Sequence, residues 1–66
     1  MTLSVNGERR DLAAGMTVAG LIETLGLPAP AVLVEHNGLA LRREEWQERA
    51  LSQDDRVEIV RIVAGG

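Results

Sequence analysis

The segment that most constrains the fold of this chain is the apolar run at residues 56–63. Val57, Ile59, Val60 and Ile62 occupy both odd and even positions of this run, so a strand built from it is apolar on both faces. Such a strand is typical of the middle of a sheet, where neighbouring strands and packing elements surround it. We therefore expect residues 56–63 to form a central strand.

Two further segments predict hairpins. Residues 2–5 alternate polar and apolar side chains as a half-buried strand does, and Asn6-Gly7 then favours a type I′ turn. The returning strand at residues 8–12 is polar enough for a sheet edge. Residues 32–36 and 39–41 form a second pair of strand candidates, joined by the turn signal Asn37-Gly38.

A short helix is predicted between the two hairpins. Its apolar positions follow i, i+3, i+4 and i+7 spacing: Val18, Leu21, Ile22 and Leu25. Thr17 can cap its start, while Gly26 and Pro28 favour its end after two to three turns. Residues 42–51 stay undecided between a 3₁₀ turn and a single α turn, and residues 52–55 read as a turn.

The element order predicts a small two-layer α+β fold. One helix can cover one face of a single sheet, and 66 residues allow one domain, which we assign to residues 1–66. This is the layout of the ubiquitin-like β-grasp fold. We expect a mixed sheet of four to five strands packed on one main helix, with a flexible C-terminal Gly-Gly tail at residues 64–66.

Size and composition exclude several classes of protein. A chain this short buries only about 60% of its unfolded surface, which leaves little room for a deep active site. The chain has no cysteine, and its net charge of −3 argues against nucleic-acid binding. No signal peptide or membrane-spanning run is visible, so a soluble cytoplasmic protein is expected.

The side chains offer no convincing catalytic or metal site. His36 has no nucleophile and carboxylate at a useful spacing, and the acidic residues Glu44, Glu45 and Glu48 are typical of a solvated face. No phosphate-binding loop is present. Trp46 is expected to anchor a small separate cluster under a loop. We therefore predict no catalytic residue, no metal and no stably bound cofactor.

The C-terminal end is the strongest candidate for chemistry. Ala64, Gly65 and Gly66 are small, and glycine without a Cβ can thread a narrow channel to present the Gly66 carboxylate to a partner enzyme. An ionised carboxylate is a poor electrophile and needs activation, for example as an acyl-adenylate, for which a partner would use ATP and Mg²⁺. The alternative is a frayed terminus without a function.

The last strand also suggests a docking surface. If Val57 and Ile59 face the helix, then Val60 and Ile62 point from the opposite, open face beside the tail. Exposed apolar side chains there would form a partner interface. The alternative is that residues 42–51 cover them.

Four stretches of the chain form a recognisable set: Val-Glu-His-Asn-Gly at residues 34–38, Arg-Glu-Glu-Trp at 43–46, Asp-Arg-Val-Glu-Ile-Val at 55–60 and Val-Ala-Gly-Gly at 63–66. Together they resemble the ThiS family of sulfur carriers of thiamine (thiazole) biosynthesis. The Arg-x-x-Trp piece favours this family over the related carrier of molybdopterin synthesis. Arg42, Asp54 and His36 depart from the family pattern, which usually has proline, glycine and an apolar residue there.

The resemblance implies a reaction cycle in which the protein is a co-substrate. A ThiF-like adenylyltransferase would adenylate the Gly66 carboxylate, and sulfur relayed from a cysteine desulfurase persulfide would replace AMP to leave a thiocarboxylate. A ThiG-like thiazole synthase would then take that sulfur. A carrier for molybdopterin or amino-acid synthesis, or a ubiquitin-like interaction domain without such chemistry, remain the alternatives.

Overall fold

The computed structural model describes residues 1–62, which form five β-strands, one α-helix and two short 3₁₀ turns. The strands are β1 Thr2–Val5, β2 Glu8–Asp11, β3 Val32–His36, β4 Leu39–Leu41 and β5 Arg56–Arg61. The helix α1 spans Val18–Thr24, and the 3₁₀ turns span Ala29–Ala31 and Arg43–Glu45. The tail at residues 64–66, for which we expected flexibility, lies outside the described residues.

The strands form a mixed sheet in the order β2-β1-β5-β3-β4. β5 lies at its centre, as the apolar run predicts, and it pairs in parallel with β1 and antiparallel with β3. β2 is exposed along its whole length and occupies an edge, as its charged side chains favour. The predicted α+β fold, with one sheet packed on α1, is confirmed over residues 1–62.

Both predicted hairpin turns are present. Asn6 and Gly7 have φ angles of 50° and 82°, and Asn37 and Gly38 have φ angles of 52° and 84°. A type I′ turn requires positive φ at both central residues, which asparagine and glycine tolerate best. The two Asn-Gly pairs therefore determine where the first and second hairpins reverse direction.

Helix α1 begins and ends where its capping residues predict. Thr17 Oγ1 accepts a hydrogen bond from the Gly20 backbone N–H at 3.1 Å. Gly26 has a φ of +68°, the left-handed conformation that favours glycine just after a helix. The buried side chains Val18, Leu21 and Ile22 turn one face of the helix onto the sheet.

The segment 43–51, which belongs to the stretch 42–51 that the sequence left undecided, docks on the start of α1. After the 3₁₀ turn its backbone carbonyls accept from helix N–H groups, Trp46 O from Ala19 at 3.1 Å and Arg49 O from Val18 at 2.9 Å. Leu51 N–H donates to Met16 O at 2.9 Å. The first N–H groups of a helix lack acceptors within the helix, and this segment supplies acceptors for them.

The core lies between α1 and one face of the sheet. Its buried apolar side chains form one cluster: Leu3, Val5, Val18, Leu21, Ile22, Val32, Val34, Leu41, Trp46, Leu51, Val57 and Ile59. The expectation that Trp46 anchors a separate cluster is therefore wrong. The segment 43–51 folds back against α1, and its indole becomes part of the main core.

Candidate functional site

The face of the sheet that points away from α1 carries a group of exposed apolar side chains at one end. Val60 is 60% exposed, Ile62 is 47% exposed and Leu33 is 57% exposed. Leu33 and Val60 are direct partners across β3 and β5. We call Leu33, Val60 and Ile62 the apolar patch, and the sheet surface that carries it the open face.

The apolar patch lies where the last strand leads toward the C-terminus. β5 ends at Arg61, and the Ile62 N–H still donates to Ala31 O at 2.6 Å. The backbone is thus held to the sheet as far as residue 62, with Val60 and Ile62 beside the point from which the chain continues to residue 66. Ala64, Gly65 and Gly66 themselves lie outside the described residues.

The outward orientation of Val60 and Ile62 agrees with the alternation read from the sequence. Val57 and Ile59 are buried toward α1, and residues 42–51 leave Val60 exposed. Ile62 does line a shallow groove together with residues 41–44 and Trp46, so its exposure is partial. Sequence reasoning missed Leu33, although the inward pattern of residues 32, 34 and 36 would have placed it on the open face.

Two carboxylates adjoin the apolar patch on the open face. Glu35 pairs directly with Glu58 across β3 and β5, one step along the open face from the Leu33–Val60 pair. Within residues 1–62 neither side chain takes part in an ion pair. Arg56 lies next to Glu58 on the same face of β5. The open face therefore combines an apolar end with an acidic middle.

His36, which the sequence placed near the end of a strand, is buried and held by two charged side chains. Its Nε2 lies 2.7 Å from Asp55 Oδ2, and Arg49 Nε–H donates to His36 Nδ1 at 3.1 Å. Because arginine only donates, Nδ1 must accept, and the ring proton on Nε2 is donated to Asp55. This arrangement ties β3 to the segments before β5 and includes no nucleophile.

The pKa of the Asp55 carboxyl is lowered, against the effect of burial, by the hydrogen bonds around it. Burial by itself would raise the pKa of Asp55, but hydrogen bonds from His36, Asn37 and the Ser52 backbone outweigh burial and hold that pKa below its ordinary value. A carboxylate that accepts this many hydrogen bonds is stabilised in its charged form. Asp55 therefore acts as an acceptor that joins the Asn37-Gly38 turn to residues 52–55.

Trp46 and Arg43 border a groove on the helix side of the molecule. The groove has a volume of about 380 Å³ and runs between α1 and residues 43–47. The Trp46 indole N–H is buried and finds no hydrogen-bond partner among residues 1–62. The groove opens on the side of the sheet opposite the open face, and thus away from Val60.

Residues 1–62 contain no group of three or more His, Cys, Asp or Glu side chains arranged to hold a metal ion. Over the same residues, no helix combines the length and the apolar character that crossing a bilayer requires.

Comparisons with known proteins agree with one another. The sequence model of the ThiS family matches residues 3–66. The chain is 36% identical over its whole length to part of a thiazole synthase from Paramagnetospirillum magneticum, of which it spans 20%, about a fifth. It is 27% identical to the sulfur carrier protein ThiS of Escherichia coli K12, with both chains covered in full.

A solved structure has the same fold. The crystal structure of the thiamine biosynthesis protein ThiS from Geobacter metallireducens superposes with a TM-score of 0.87 at 33% sequence identity, covering all of both chains. The chain therefore resembles this protein both in sequence and in the arrangement of its strands and helix.

Proposed function

The chain belongs to the ThiS family, and on that premise we propose that it is a sulfur carrier of thiamine biosynthesis whose Gly66 carboxylate holds the sulfur. The observation that carries the proposal is the extent of the family match. It runs through residue 66 and thus includes the Gly-Gly end. The similarity to a sulfur carrier over its full length supports the same role.

The chemistry needs only the terminal carboxylate of this chain. A ThiF-like adenylyltransferase binds ATP and Mg²⁺, joins the Gly66 carboxylate to the AMP moiety and releases pyrophosphate. The terminal sulfur of a persulfide, supplied by a cysteine desulfurase, then displaces AMP and forms an acyl disulfide. A thiol cleaves the S–S bond of this acyl disulfide, which releases the thiocarboxylate and leaves a disulfide between the two thiols. The partner provides the electrostatic stabilisation of acyl transfer, so this protein is a co-substrate and not the catalyst.

A ThiG-like thiazole synthase is the proposed acceptor of the sulfur. The thiazole synthase of Paramagnetospirillum magneticum includes a segment similar to the whole of this chain. A carrier and an acceptor that must meet in every cycle gain from being linked, because a linker raises their effective concentration. This supports thiazole formation over another sulfur pathway.

Val60 and Ile62 are proposed to deliver the tail to its partners. Both are exposed, Val60 on the last strand and Ile62 directly after it, where the chain continues toward residues 64–66. Docking of the apolar patch would bury these side chains and leave the two glycines to enter the partner's channel, where a Cβ at residue 65 would obstruct passage.

Intact-mass spectrometry tests the proposal. The protein is incubated with the cognate adenylating enzyme, ATP, Mg²⁺, a persulfide source and a thiol reductant, and the mass is expected to rise by one S-for-O exchange. Deleting Gly66 should abolish the change while circular dichroism shows an intact fold. The mass of the protein isolated from its native source, measured first, tests whether Gly66 is its last residue.

Two outcomes would contradict the proposal. One is an unchanged mass in the presence of an enzyme that adenylates its own positive-control carrier. The other is a mass increase that survives deletion of Gly66, which would place the sulfur on a different group. Rescue of a thiamine auxotroph then distinguishes thiazole formation from molybdopterin or amino-acid synthesis.

A further inference from the structure

The Glu35–Glu58 pair on the open face lacks an explanation within the fold. Like charges directly opposite each other on neighbouring strands repel and destabilise a sheet. Here they sit in register on β3 and β5, and no ion pair within residues 1–62 compensates either carboxylate. The pair therefore lowers the stability of the isolated protein without contributing to its core.

Arg56 does not neutralise the pair. It lies two residues before Glu58 on the same face, on the side away from the apolar patch. Its guanidinium Nη2 lies 4.0 Å from the position that a Cβ on Gly38 would occupy, at the turn that follows β3. The two carboxylates therefore stay available to a cation from outside the molecule.

Charge also argues against a second copy of this chain as the occupant of the open face. In a symmetric dimer the same surface of both copies meets, so a second carboxylate pair would approach the first. Burying like charges together is unfavourable. A different protein with basic side chains beside apolar ones fits this surface better.

We propose that the adenylating enzyme that docks on the apolar patch inserts an arginine or lysine side chain against Glu35 and Glu58. This inference rests on the proposed function, since it names the chemistry of the partner at the docking surface. A cation there relieves the repulsion between the two carboxylates at the moment when docking removes their water. Charge complementarity then orients the carrier so that its tail faces the enzyme's channel.

Charge-changing variants test the inference. The reversals Glu35→Arg and Glu58→Arg each place a cation against the enzyme's own cation, and the KM of the carrier in the adenylation reaction should rise at least about tenfold. Glu23→Arg, on the exposed face of α1, makes the same change in net charge and should leave KM within about twofold of the wild type, since distant charges are screened.

The neutral variant Glu35→Gln separates docking from folding. Removing one of two opposed charges should raise the melting temperature, while KM in the adenylation reaction should increase. If Glu35 instead stabilised the fold, its replacement would lower the melting temperature and leave KM unchanged. Added salt should raise the wild-type KM and have less effect on the KM of Glu35→Gln.

The experiment distinguishes failure of this inference from failure of the proposed function. If the wild type is adenylated at Gly66 but Glu35→Arg, Glu58→Arg and Glu23→Arg share one KM, the inference is overturned and the proposed function stands. If the wild type is not adenylated by an active enzyme, the proposed function fails first. A lower KM for the reversed variants would mean that the partner surface is acidic, which also overturns the inference.

Discussion

Asn6 connects two strands that are far apart in the sequence. Its side-chain Nδ2–H donates to Ile59 O at 3.0 Å, and its Oδ1 accepts from the Ile59 N–H at 2.6 Å. The backbone pairing of β1 with β5 covers only Ser4–Arg56 and Val5–Val57. The Asn6 amide therefore extends the contact between the two strands beyond the end of β1.

We predict that Asn6→Ala lowers the free energy of unfolding by about 1–3 kcal/mol, because the part-buried Ile59 backbone groups lose their partner. Asn6→Asp keeps the acceptor and loses the donor, so its stability should fall between those of the alanine variant and the wild type. Urea denaturation followed by circular dichroism measures both changes. Equal stability of Asn6→Ala and the wild type would show that the amide contributes nothing to strand pairing.

Asp55 should make stability depend on pH in the acidic range. Its pKa in the folded protein is lower than in the unfolded chain, so the unfolded state binds more protons and stability rises with pH. The contribution is complete above the ordinary value of 3.8 and is lost as pH falls through the folded value.

Asp55→Asn removes this titration. We expect lower stability at neutral pH and a shallower loss of stability below about pH 4 than in the wild type. Glu8→Gln, at an exposed edge position, is the matched control and should keep the acid-dependent loss. Denaturation midpoints between pH 2 and pH 7 provide the comparison, and parallel profiles for Asp55→Asn and the wild type would refute the assignment.

At the scale of elements, α1 depends on the segment 43–51. A helix of seven residues is too short to be stable alone, so its stability comes from packing and from partners for its terminal N–H groups. The segment supplies both, through the carbonyls of Trp46 and Arg49 and through the buried indole. Helix and segment therefore form one folding unit.

Substitution of Trp46 tests this dependence. Trp46→Ala should lower the free energy of unfolding by about 3–5 kcal/mol, because it leaves a cavity under α1. Trp46→Phe should lower it by less than about 1.5 kcal/mol, since it keeps an aromatic ring and removes an N–H that has no partner within residues 1–62. Far-ultraviolet circular dichroism is the suitable signal because Trp46 is the only tryptophan. Equal losses in the two variants would contradict the packing role.

At the scale of the whole molecule, one face of the sheet is buried and the other is exposed. The face toward α1 holds the core, and the open face exposes Leu33, Val60 and Ile62. Substitutions on the open face should therefore affect partner docking more than folding. The carrier function proposed here depends on this separation, because a 66-residue protein has little stability to lose.

We predict that Val60→Asp weakens docking to the adenylating enzyme by at least about tenfold while the melting temperature changes little, since an exposed apolar anchor is replaced by a charge. Leu39→Asp is the matched control, because Leu39 is 50% exposed and lies on edge strand β4, away from the apolar patch. Isothermal titration calorimetry measures binding. Equal affinities of the two variants would show that Val60 is not part of the docking surface.

Much of the fold and part of the candidate site could be predicted from local patterns. The two Asn-Gly turns, the capped helix and the central strand all depend on residues close in sequence. Each is present in the structure, with the strand predicted at residues 56–63 found at Arg56–Arg61. The alternation along β5 likewise predicted an exposed Val60 on the open face, and Ile62, directly after the strand, is exposed as well. Asp54 has a left-handed φ of 66°, a conformation that aspartate tolerates in turns.

Other features depended on contacts that no local pattern encodes. His36 meets Asp55 across 19 positions, and the Glu35–Glu58 pair exists only because of the register between β3 and β5. The conformation of residues 42–51 could not be decided from the sequence because it is set by docking on α1.

The sequence by itself determined the turns, the helix and the face of each strand, because these follow from backbone preferences and from side-chain spacing within a few residues. It also determined the Gly-Gly end on which the proposed chemistry depends. Only the tertiary structure decided which strands pair, which polar groups meet and which carboxylates share the open face. These depend on free energies of association between distant segments, and a shift of one residue in register would turn every side chain of a strand to the other face.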